Sequence, residues 1–445
     1  MTDLYPIRPV GPDEFTAFHA VDEHAFHGRP LSQQLREAHL QQFESDRSLA
    51  AFDGGIPVGI AGVYSLRMCL PGAMAAVAGV TWVAVMPTHR RRGIMSSLMR
   101  RQLADIRERG EAIAALWASE AEIYGRFGYG AAAWHAGFSF GRGDGALGRT
   151  APVAEPGLRL RIAEPESVRA EVGKVYETVL PTRPGMYARD EFWWNRALGT
   201  RDQGQPDTDP VRCVLAEDDS GPRGYALYCA KGRWDEETFL PDSALSIREM
   251  IASDPAAIAA IWGDLLGRDL ATEFTALLRP VDDPLLQMLA DPRRARRRIG
   301  DGLWVRLTDV PKALAQRRYA CPVDVVLEVT DSLLTANQGT WRLRTDAAGV
   351  GSGAGRGGGA GGGAGSGAGA GFAGSGMGLA ASCEPAAGPA DLVLDVSALG
   401  AAYLGGTRLG WLAAAGRVTE RRKGALATLS TAMSWDPAPW CPQIF

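Results

Sequence analysis

A run of three arginines and a glycine, Arg90 to Gly93, connects a predicted strand to a predicted helix. The first amide groups of a helix have no partner within the helix, and the positive end of the helix dipole lies beside them. A pyrophosphate fits at such a turn, where the three guanidinium groups would add positive charge. The alternative is a solvated basic run in front of a helix, because short motifs often match by chance.

The elements around this turn follow an α/β pattern from about residue 4 to 141. The sequence Asp53-Gly54-Gly55 separates two apolar stretches and predicts a hairpin. A helix is predicted from Arg91 to Gly110, because apolar residues recur there every three or four positions. The predicted strands are 49–52, 57–64, 76–85 and 112–118. The turn therefore lies inside a β–α–β passage.

Composition indicates a folded protein of two or three domains. The chain has 445 residues, of which 46% are hydrophobic and 22% charged, which excludes wholesale disorder. A net charge of −4 does not indicate the strongly basic surface that is expected of a nucleic-acid-binding protein. The six cysteines form no C-x-x-C pair, which predicts reduced thiols. Because we find neither a signal peptide nor an apolar run long enough to span a bilayer, we expect a cytoplasmic protein that binds no membrane.

Two further units follow the first. A second α/β unit, from about 157 to 297, has no histidine and no glycine-rich turn into a helix, so we expect a scaffold or substrate-shaping role. A third unit begins near Gly302. Its predicted strands are 303–307, 323–329, 339–344 and 391–395, and its predicted helices are 396–404 and 409–415. Glycine makes up 17 of the 30 residues from 349 to 378, which predicts a floppy surface loop between two strands.

The turn at Arg90 and Gly93 resembles the acetyl-CoA-binding motif of GNAT N-acetyltransferases, Arg/Gln-x-x-Gly-x-Gly/Ala, with Met95 at the last small position. The wider sequence resembles the enhanced intracellular survival (Eis) family of these enzymes. The matching segments are Val80 to Gly93, Ala118 to Gly130, Arg189 with Trp193 and Trp194, Leu399 to Arg408, and Ala438 to Phe445. The resemblance covers nearly the whole chain apart from the glycine tract.

The resemblance implies an α/β (α+β) fold with tandem GNAT domains and a C-terminal sterol-carrier-like α/β domain. The expected limits are 1–150 for the catalytic GNAT domain, 151–297 for a GNAT-like domain and 298–445 for the sterol-carrier-like domain, with a disordered glycine-rich insertion at 347–388. It also implies a homohexamer.

Acetyl-CoA is the co-substrate that the resemblance implies. Backbone amides near Val83 would bind the pantetheine arm and the thioester oxygen, while the turn would bind the pyrophosphate. The expected binding residues are Val83, Ala84, Val85, Arg90, Arg91, Arg92, Gly93, Ile94, Met95, Ser96, Ser119 and Glu120.

Two catalytic groups are also implied by the resemblance. Tyr124 matches the general acid that protonates the departing thiolate, and a phenol with a pKa near ~10 stays protonated at neutral pH. A packed aromatic residue is the alternative for Tyr124, and Tyr129 is the second candidate. The α-carboxylate of Phe445 matches the general base. The apolar tail 440–445 would be costly to expose, so we expect it to be buried; Ile444 stands where an acidic residue would help to bind an amine.

The acceptor pocket is expected to attract a cationic amine through carboxylates and aromatic rings. The candidates are Asp22, Phe26 and Trp82, together with Glu23 and His24. An ordinary amphipathic helix explains the residues of this segment equally well. His24 and His27 lack a third ligand nearby, so we predict no metal.

These expectations describe an acetyl-CoA-dependent N-acetyltransferase of a polycationic, aminoglycoside-like small molecule. Acetylation of a peptide or protein lysine is the close alternative. A non-catalytic acyl-CoA-binding or lipid-binding protein is the alternative from another class.

Overall fold

The computed structural model describes residues 4–28, 30–153, 155–199, 209–345 and 378–445. The strands of this part of the chain form three sheets. Strands and helices are numbered in chain order below.

The first sheet has seven strands, and four helices accompany it. The strands are β1 (Ile7–Pro9), β2 (Leu49–Asp53), β3 (Ile56–Leu70), β4 (Ala73–Val85), β5 (Ile113–Trp117), β6 (Gly130–Ala131) and β14 (Leu303–Leu307), in the order β1-β2-β3-β4-β5-β14-β6. The helices are α1 (Phe15–Phe26), α2 (Gln33–Gln42), α3 (Ile94–Glu108) and α4 (Ala121–Gly125). The predicted hairpin and β–α–β passage are confirmed, since β2 pairs antiparallel with β3 and α3 joins the parallel strands β4 and β5.

The second sheet also has seven strands. They are β7 (Trp134–Gly141), β8 (Arg159–Ala163), β9 (Val211–Asp218), β10 (Gly221–Lys231), β11 (Ser243–Ala252), β12 (Ala271–Pro280) and β13 (Arg298–Asp301), in the order β13-β7-β12-β11-β10-β9-β8. Its helices are α5 (Arg169–Val179), α6 (Glu191–Ala197), α7 (Pro255–Leu266) and α8 (Leu285–Met288). The parallel strands β11 and β12 are joined by α7, which repeats the crossover of the first sheet.

The third sheet has five strands. They are β15 (Asp324–Thr330), β16 (Gly339–Thr345), β17 (Ala381–Pro385), β18 (Leu392–Asp395) and β19 (Val418–Glu420), in the order β17-β16-β15-β18-β19. Its helices are α9 (Val310–Gln316), α10 (Val396–Ala402), α11 (Leu409–Ala414) and α12 (Ala425–Met433).

Two strands cross between the predicted units. β7 precedes residue 150 in the chain but lies in the second sheet, between β13 and β12. β14 was expected in the third unit but lies in the first sheet, between β5 and β6, so that expectation is wrong. A short apolar run predicts that a strand is buried, but it does not determine which strand lies next to it. The domain limits at 150 and 297 stay predictions.

Part of the predicted insertion at 347–388 is a strand. Residues 381–385 form β17, which pairs antiparallel with β16. The prediction of disorder is wrong for these residues, whose sequence contains no glycine and whose backbone extends the sheet by one strand. The predicted surface loop in the glycine tract falls almost entirely on residues 346–377, which lie outside the described residues.

Helix α3 packs one apolar face on the first sheet. Ile94, Leu98 and Leu103 are buried at the predicted spacing. A Cβ on Gly59 of β3 would lie 2.5 Å from the Ile94 side chain. Glycine at this position therefore lets the first turn of α3 rest directly on the sheet, which fixes where the helix begins.

Candidate functional site

Trp82 interrupts the regular pairing of β4 with β3. Its φ is 48°, in the left-handed region that is costly for a residue with a Cβ. The register shifts beside it, because Gly62 pairs with Thr81 whereas Ile60 pairs with Ala84. This is a β-bulge. Gly62 permits it, since a Cβ there would lie 2.8 Å from the Trp82 ring.

The strands β4 and β5 separate before the bulge is reached. Within the described residues their recorded pairs are Ala78 with Ala114 and Gly79 with Ala115. The later part of β4, through Val85, has no strand partner on that edge in the described part of the chain. An open strand edge offers backbone amides and carbonyls to an extended ligand.

The turn from β4 into α3 exposes backbone amides. Arg91 and Gly93 have φ values of 63° and 82°. The first α-helical hydrogen bond runs from the Ser97 amide to the Gly93 carbonyl, at 3.0 Å. The amides of residues 94–96 therefore point out of the helix end, where an anion is favoured.

A cavity of about 610 Å³ lies at this turn. Its walls include the open edge of β4, and its basic groups are His27, His89, Arg90, Arg91 and Arg126. Apolar side chains, among them Val83, Ile94 and Ile123, also line it. This combination suits a ligand with an anionic phosphate end and a less polar arm, so we call it the donor cavity.

Tyr124 lies in α4 and also lines the donor cavity. Its side chain is buried, and this burial raises its pKa above the ordinary value, while a hydrogen bond with Ser119 acts in the opposite direction. The phenol is therefore protonated at neutral pH. The Tyr129 ring packs edge-on against it, with ring centroids 6.0 Å apart.

A second cavity, of about 320 Å³, begins one residue away. Trp82 lines this cavity, whereas the next residue, Val83, lines the donor cavity. The lining residues are His19, Asp22, Glu23, Gly28, Leu31, His39, Tyr64, Thr81, Trp82, Arg196 and Phe445. We call it the acceptor cavity.

Carboxylates and aromatic rings give the acceptor cavity its chemistry. Burial raises the pKa of Asp22, and the neighbouring charge of His19 lowers it. The Trp82 ring lies 5.2 Å from the Tyr64 ring and 6.3 Å from the His39 ring. Aromatic faces beside acidic groups attract an ammonium group.

Most of the C-terminal tail is buried, as predicted, although Ile444 is exposed. Trp440, Cys441 and Phe445 are 3%, 2% and 7% exposed. The Phe445 ring packs edge-on against Tyr187 at 5.7 Å, and it lies 3.3 Å from the place that a Cβ on Gly79 would take. The last residue of the chain therefore sits on β4, in the acceptor cavity.

Most of the predicted binding residues meet at the donor cavity. Those that line it are Val83, Ala84, Val85, Arg90, Arg91, Gly93, Ile94, Met95, Ser96, Ser119 and Glu120. Arg92 is not among them, because its guanidinium donates to the Tyr5 hydroxyl at 2.7 Å and to the Thr88 carbonyl at 3.2 Å.

The predicted acceptor residues are divided between the two cavities. Asp22 and Trp82 line the acceptor cavity, as does Glu23. Phe26 lies instead at the donor cavity, with half of its surface exposed. His24 is exposed on α1 and lines neither cavity.

Several lining residues were not found from the sequence. Arg126 follows Tyr124 by two positions, so its closeness to the predicted acid was an available signal. His19 precedes Glu23 by one helical turn, a spacing that places both on one face. Arg196 comes from α6 of the second sheet, and no sequence signal connects it to this cavity.

The repeated crossover of the second sheet does not repeat the anion site. Asp254 caps α7 by accepting from the Ala257 amide at 2.9 Å, and Arg223 donates to the same carboxylate at 2.8 Å. Pro255 occupies the first helical position and has no amide hydrogen. A carboxylate already holds the place that a phosphate would need.

No group of three or more His, Cys, Asp or Glu side chains in the described ranges is arranged to hold a metal ion. None of the helices described is long and apolar enough to cross a bilayer.

Known domain families match all three parts of the chain. Residues 6–132 and 185–307 each match an acetyltransferase (GNAT) domain, and residues 310–442 match a sterol carrier protein domain. The predicted fold class is therefore confirmed.

Similar proteins extend over nearly the whole chain. An uncharacterized N-acetyltransferase of Streptomyces coelicolor is 38% identical, covering 98% of this chain and 99% of its own. N-acetyltransferase Eis of Mycobacterium bovis is 31% identical, covering 88% of each chain. The crystal structure of Eis1 from Mycobacterium abscessus superposes with a TM-score of 0.77 at 29% identity, covering 99% of this chain and 100% of that one. With two GNAT domains, a sterol carrier domain and this degree of identity, the chain belongs to the Eis family of GNAT N-acetyltransferases.

Proposed function

We propose that this N-acetyltransferase moves the acetyl group of acetyl-CoA to a primary amine of a polycationic, aminoglycoside-like small molecule. Acetyl-CoA, the acetyl donor that its GNAT membership implies, would lie in the donor cavity. The amine would enter through the acceptor cavity.

One observation carries this proposal. The consecutive residues Trp82 and Val83 line the acceptor cavity and the donor cavity, so the two reactants would meet at the bulge of β4. Holding two reactants in contact is a large part of what an acyltransferase must do. Each cavity also has the charge that its proposed ligand needs.

The residues that line the donor cavity support binding of CoA. Amides of residues 94–96 and the guanidinium groups of Arg90 and Arg91 would hold the pyrophosphate. The open edge of β4 at Val83 to Val85 would hydrogen-bond the pantetheine arm and polarise the thioester carbonyl. The bound co-substrate supplies a thioester that an amine can attack directly.

Two groups of the chain would move protons. Tyr124, whose burial keeps it neutral, would give its hydrogen to the departing sulfur. The α-carboxylate of Phe445 would attract the ammonium and take a proton from it, directly or through a water. This role is supported by the position of Phe445, the last residue of the chain, which lines the acceptor cavity.

The acceptor class follows from charge and shape. Asp22 and Glu23 give the acceptor cavity two carboxylates beside the Trp82 ring. A compact molecule with several ammonium groups would use both the negative charge and the aromatic faces. A volume of about 320 Å³ favours such a molecule over a folded protein surface.

The test is release of the CoA thiol with a panel of acceptors. The panel contains an aminoglycoside, a linear polyamine, a lysine peptide and a neutral primary amine, and mass spectrometry counts the acetyl groups added. We expect turnover with the polycations to exceed that with the neutral amine. Turnover with the lysine peptide alone would favour peptide acetylation, and CoA binding without any turnover would favour a non-catalytic role.

The assembly and the location of the protein are part of the same proposal. From the family resemblance we propose a homohexamer in the cytoplasm. Light scattering coupled to size-exclusion chromatography measures the mass directly, and a monomer would contradict the hexamer.

A further inference from the structure

His19 lines the acceptor cavity beside Glu23 but has no role in the proposed mechanism. His19 and Glu23 lie one turn apart on α1, and Nδ1 of His19 is 3.1 Å from Oε1 of Glu23. The same carboxylate oxygen accepts from the Leu31 amide, also at 3.1 Å. The pair is held in place, since His19 is buried and its ring contacts the rings of Phe15 and His39 at 5.8 and 6.0 Å.

This hydrogen bond fixes how the imidazole presents its second nitrogen. An ionised carboxylate only accepts, so Nδ1 carries the hydrogen and Nε2 keeps the lone pair in the neutral ring. Within the described residues, Glu23 is the one hydrogen-bond partner of this ring. His19 lines the acceptor cavity, and the lone pair on Nε2 can accept a proton. This is the arrangement by which a carboxylate orients an imidazole in other enzymes.

Ordinary acidities show why the reaction needs such a base. A primary ammonium of the lysine type has a pKa of about 10.4, an α-carboxyl group one of about 3.5 and an imidazole one of about 6.5. A carboxylate attracts the ammonium well but keeps its proton poorly. An imidazole is roughly three pK units better at holding it.

We propose that His19, oriented by Glu23, takes up the proton that the acceptor ammonium loses and releases it to solvent. This inference rests on the proposed function. The N–H bond of the ammonium breaks as the Phe445 carboxylate takes the proton. That proton then passes, directly or through water, to Nε2 of His19, where a new N–H bond forms.

The protons of the reaction then balance. The nitrogen loses two protons as it becomes an amide. One is released through His19, and the other replaces the hydrogen that Tyr124 gives to sulfur. One proton per acetyl group leaves the protein.

The charged and titratable groups that face His19 come from several elements. Asp22 and Glu23 share its helix and stabilise an imidazolium, as does the Phe445 carboxylate. The groups that oppose a positive charge on His19, or are neutral toward it, are His39 on α2, Tyr64 on β3 and Arg196 on α6.

A pH profile tests the proposal. His19→Gln should lower kcat at pH 7 by roughly 10²-fold, the size of a lost proton acceptor, with little change in KM for acetyl-CoA. The loss should shrink above pH 9, where more of the acceptor is already an amine. His24→Gln is the matched control, because His24 is exposed on the same helix and lines neither cavity.

Chemical rescue separates a proton role from a packing role. In His19→Ala, added imidazole should restore part of the turnover, whereas in the unsubstituted protein it should not. Glu23→Gln keeps an oxygen acceptor but removes the charge that orients the ring. On the acid side of the pH profile, the fall of kcat (the acidic limb) should therefore move, with a smaller loss of kcat than in His19→Gln. These effects define Glu23 as a positioning residue.

Each outcome has a consequence. A His19→Gln profile parallel to that of the unsubstituted protein, or no rescue by imidazole, would overturn the role of His19 while leaving the acetyltransferase assignment in place. If His39→Gln rather than His19→Gln removed the acidic limb, the base would be the other imidazole and the proposal would be wrong. Absence of acetyl transfer by the unsubstituted protein to every amine would overturn the proposed function and this inference together.

Discussion

Val305 and Ala115 lie opposite each other in the first sheet, although the entire central unit lies between them in the chain. The strand of Val305 also pairs with β6 at Gly130. Its buried neighbour Arg306 donates to both carboxylate oxygens of Asp331 at 2.8 Å. The first sheet and the third unit are therefore joined by a buried ion pair as well as by the chain that follows β14.

A fragment of residues 1–150 should not fold on its own. It lacks β14, so β5 and β6 lose their common neighbour, and it carries β7 without the strands that flank it. Unpaired buried backbone groups are costly. Circular dichroism and two-dimensional NMR should show no cooperative unfolding and poor peak dispersion, against the full chain as control. A sharp thermal transition in the fragment would contradict the interpretation.

Tyr124→Phe should lower kcat roughly 10²-fold with little change in CoA affinity, because one proton donor is lost. Tyr129→Phe is the matched control: the Tyr129 hydroxyl is buried and has no hydrogen-bond partner in the described part of the chain, so its removal should be nearly neutral. Burial raises the pKa of Tyr124, so the acid form should persist to higher pH than a free phenol. Any loss of activity from its ionisation should therefore begin only above about pH 10. Equal turnover of Tyr124→Phe and the unsubstituted protein would remove this residue from the mechanism.

Gly93→Asp should raise KM for acetyl-CoA by more than about tenfold, which corresponds to ~1.4 kcal/mol. The new carboxylate would occupy the helix end, which favours an anion, and would repel the pyrophosphate that is expected to bind there. Gly110→Asp controls for strain, since Gly110 follows the same helix and has a φ of 78°, close to the 82° of Gly93. Calorimetry with CoA measures the difference directly. Similar affinities in the two variants would show that the turn does not bind the pyrophosphate.

One residue added after Phe445 should abolish most turnover. The carboxylate would move by a peptide unit of about 3.8 Å, and a neutral amide would take its place. Phe445→Leu is the companion variant, because it keeps the carboxylate but loses the ring that packs against Tyr187. We expect the extended protein to retain CoA binding and melting temperature. Full activity after extension would refute a catalytic role for the carboxylate.

Replacing 349–377 with a short Gly-Ser linker should change the free energy of unfolding by less than about 1 kcal/mol. Loop-closure entropy varies as the logarithm of loop length. Thr345 and Ala381 are also cross-strand partners, so a short linker can join β16 to β17. Denaturant unfolding and the thiol assay provide the two readouts. A large loss in either would show that the tract contributes contacts.

Local sequence was sufficient to predict the elements that line the donor cavity. The turn at Arg90 and Gly93, the apolar spacing of α3 and the hairpin at Asp53-Gly54-Gly55 all depend on residues close together in the chain. Steric limits on φ, helix-end hydrogen bonding and side-chain periodicity act over such short distances. The family resemblance then indicated the three-part fold.

Only the tertiary structure brought His19, His39 and Arg196 into the acceptor cavity and decided the path of the strands. The acceptor cavity brings His19 from α1, His39 from α2, Arg196 from α6 and Phe445 from the tail to one bulge at Trp82. The exchange of β7 and β14 between sheets has the same origin. Burial patterns are properties of single segments, whereas which segments meet depends on packing across the whole chain, so no local pattern could have placed these groups together.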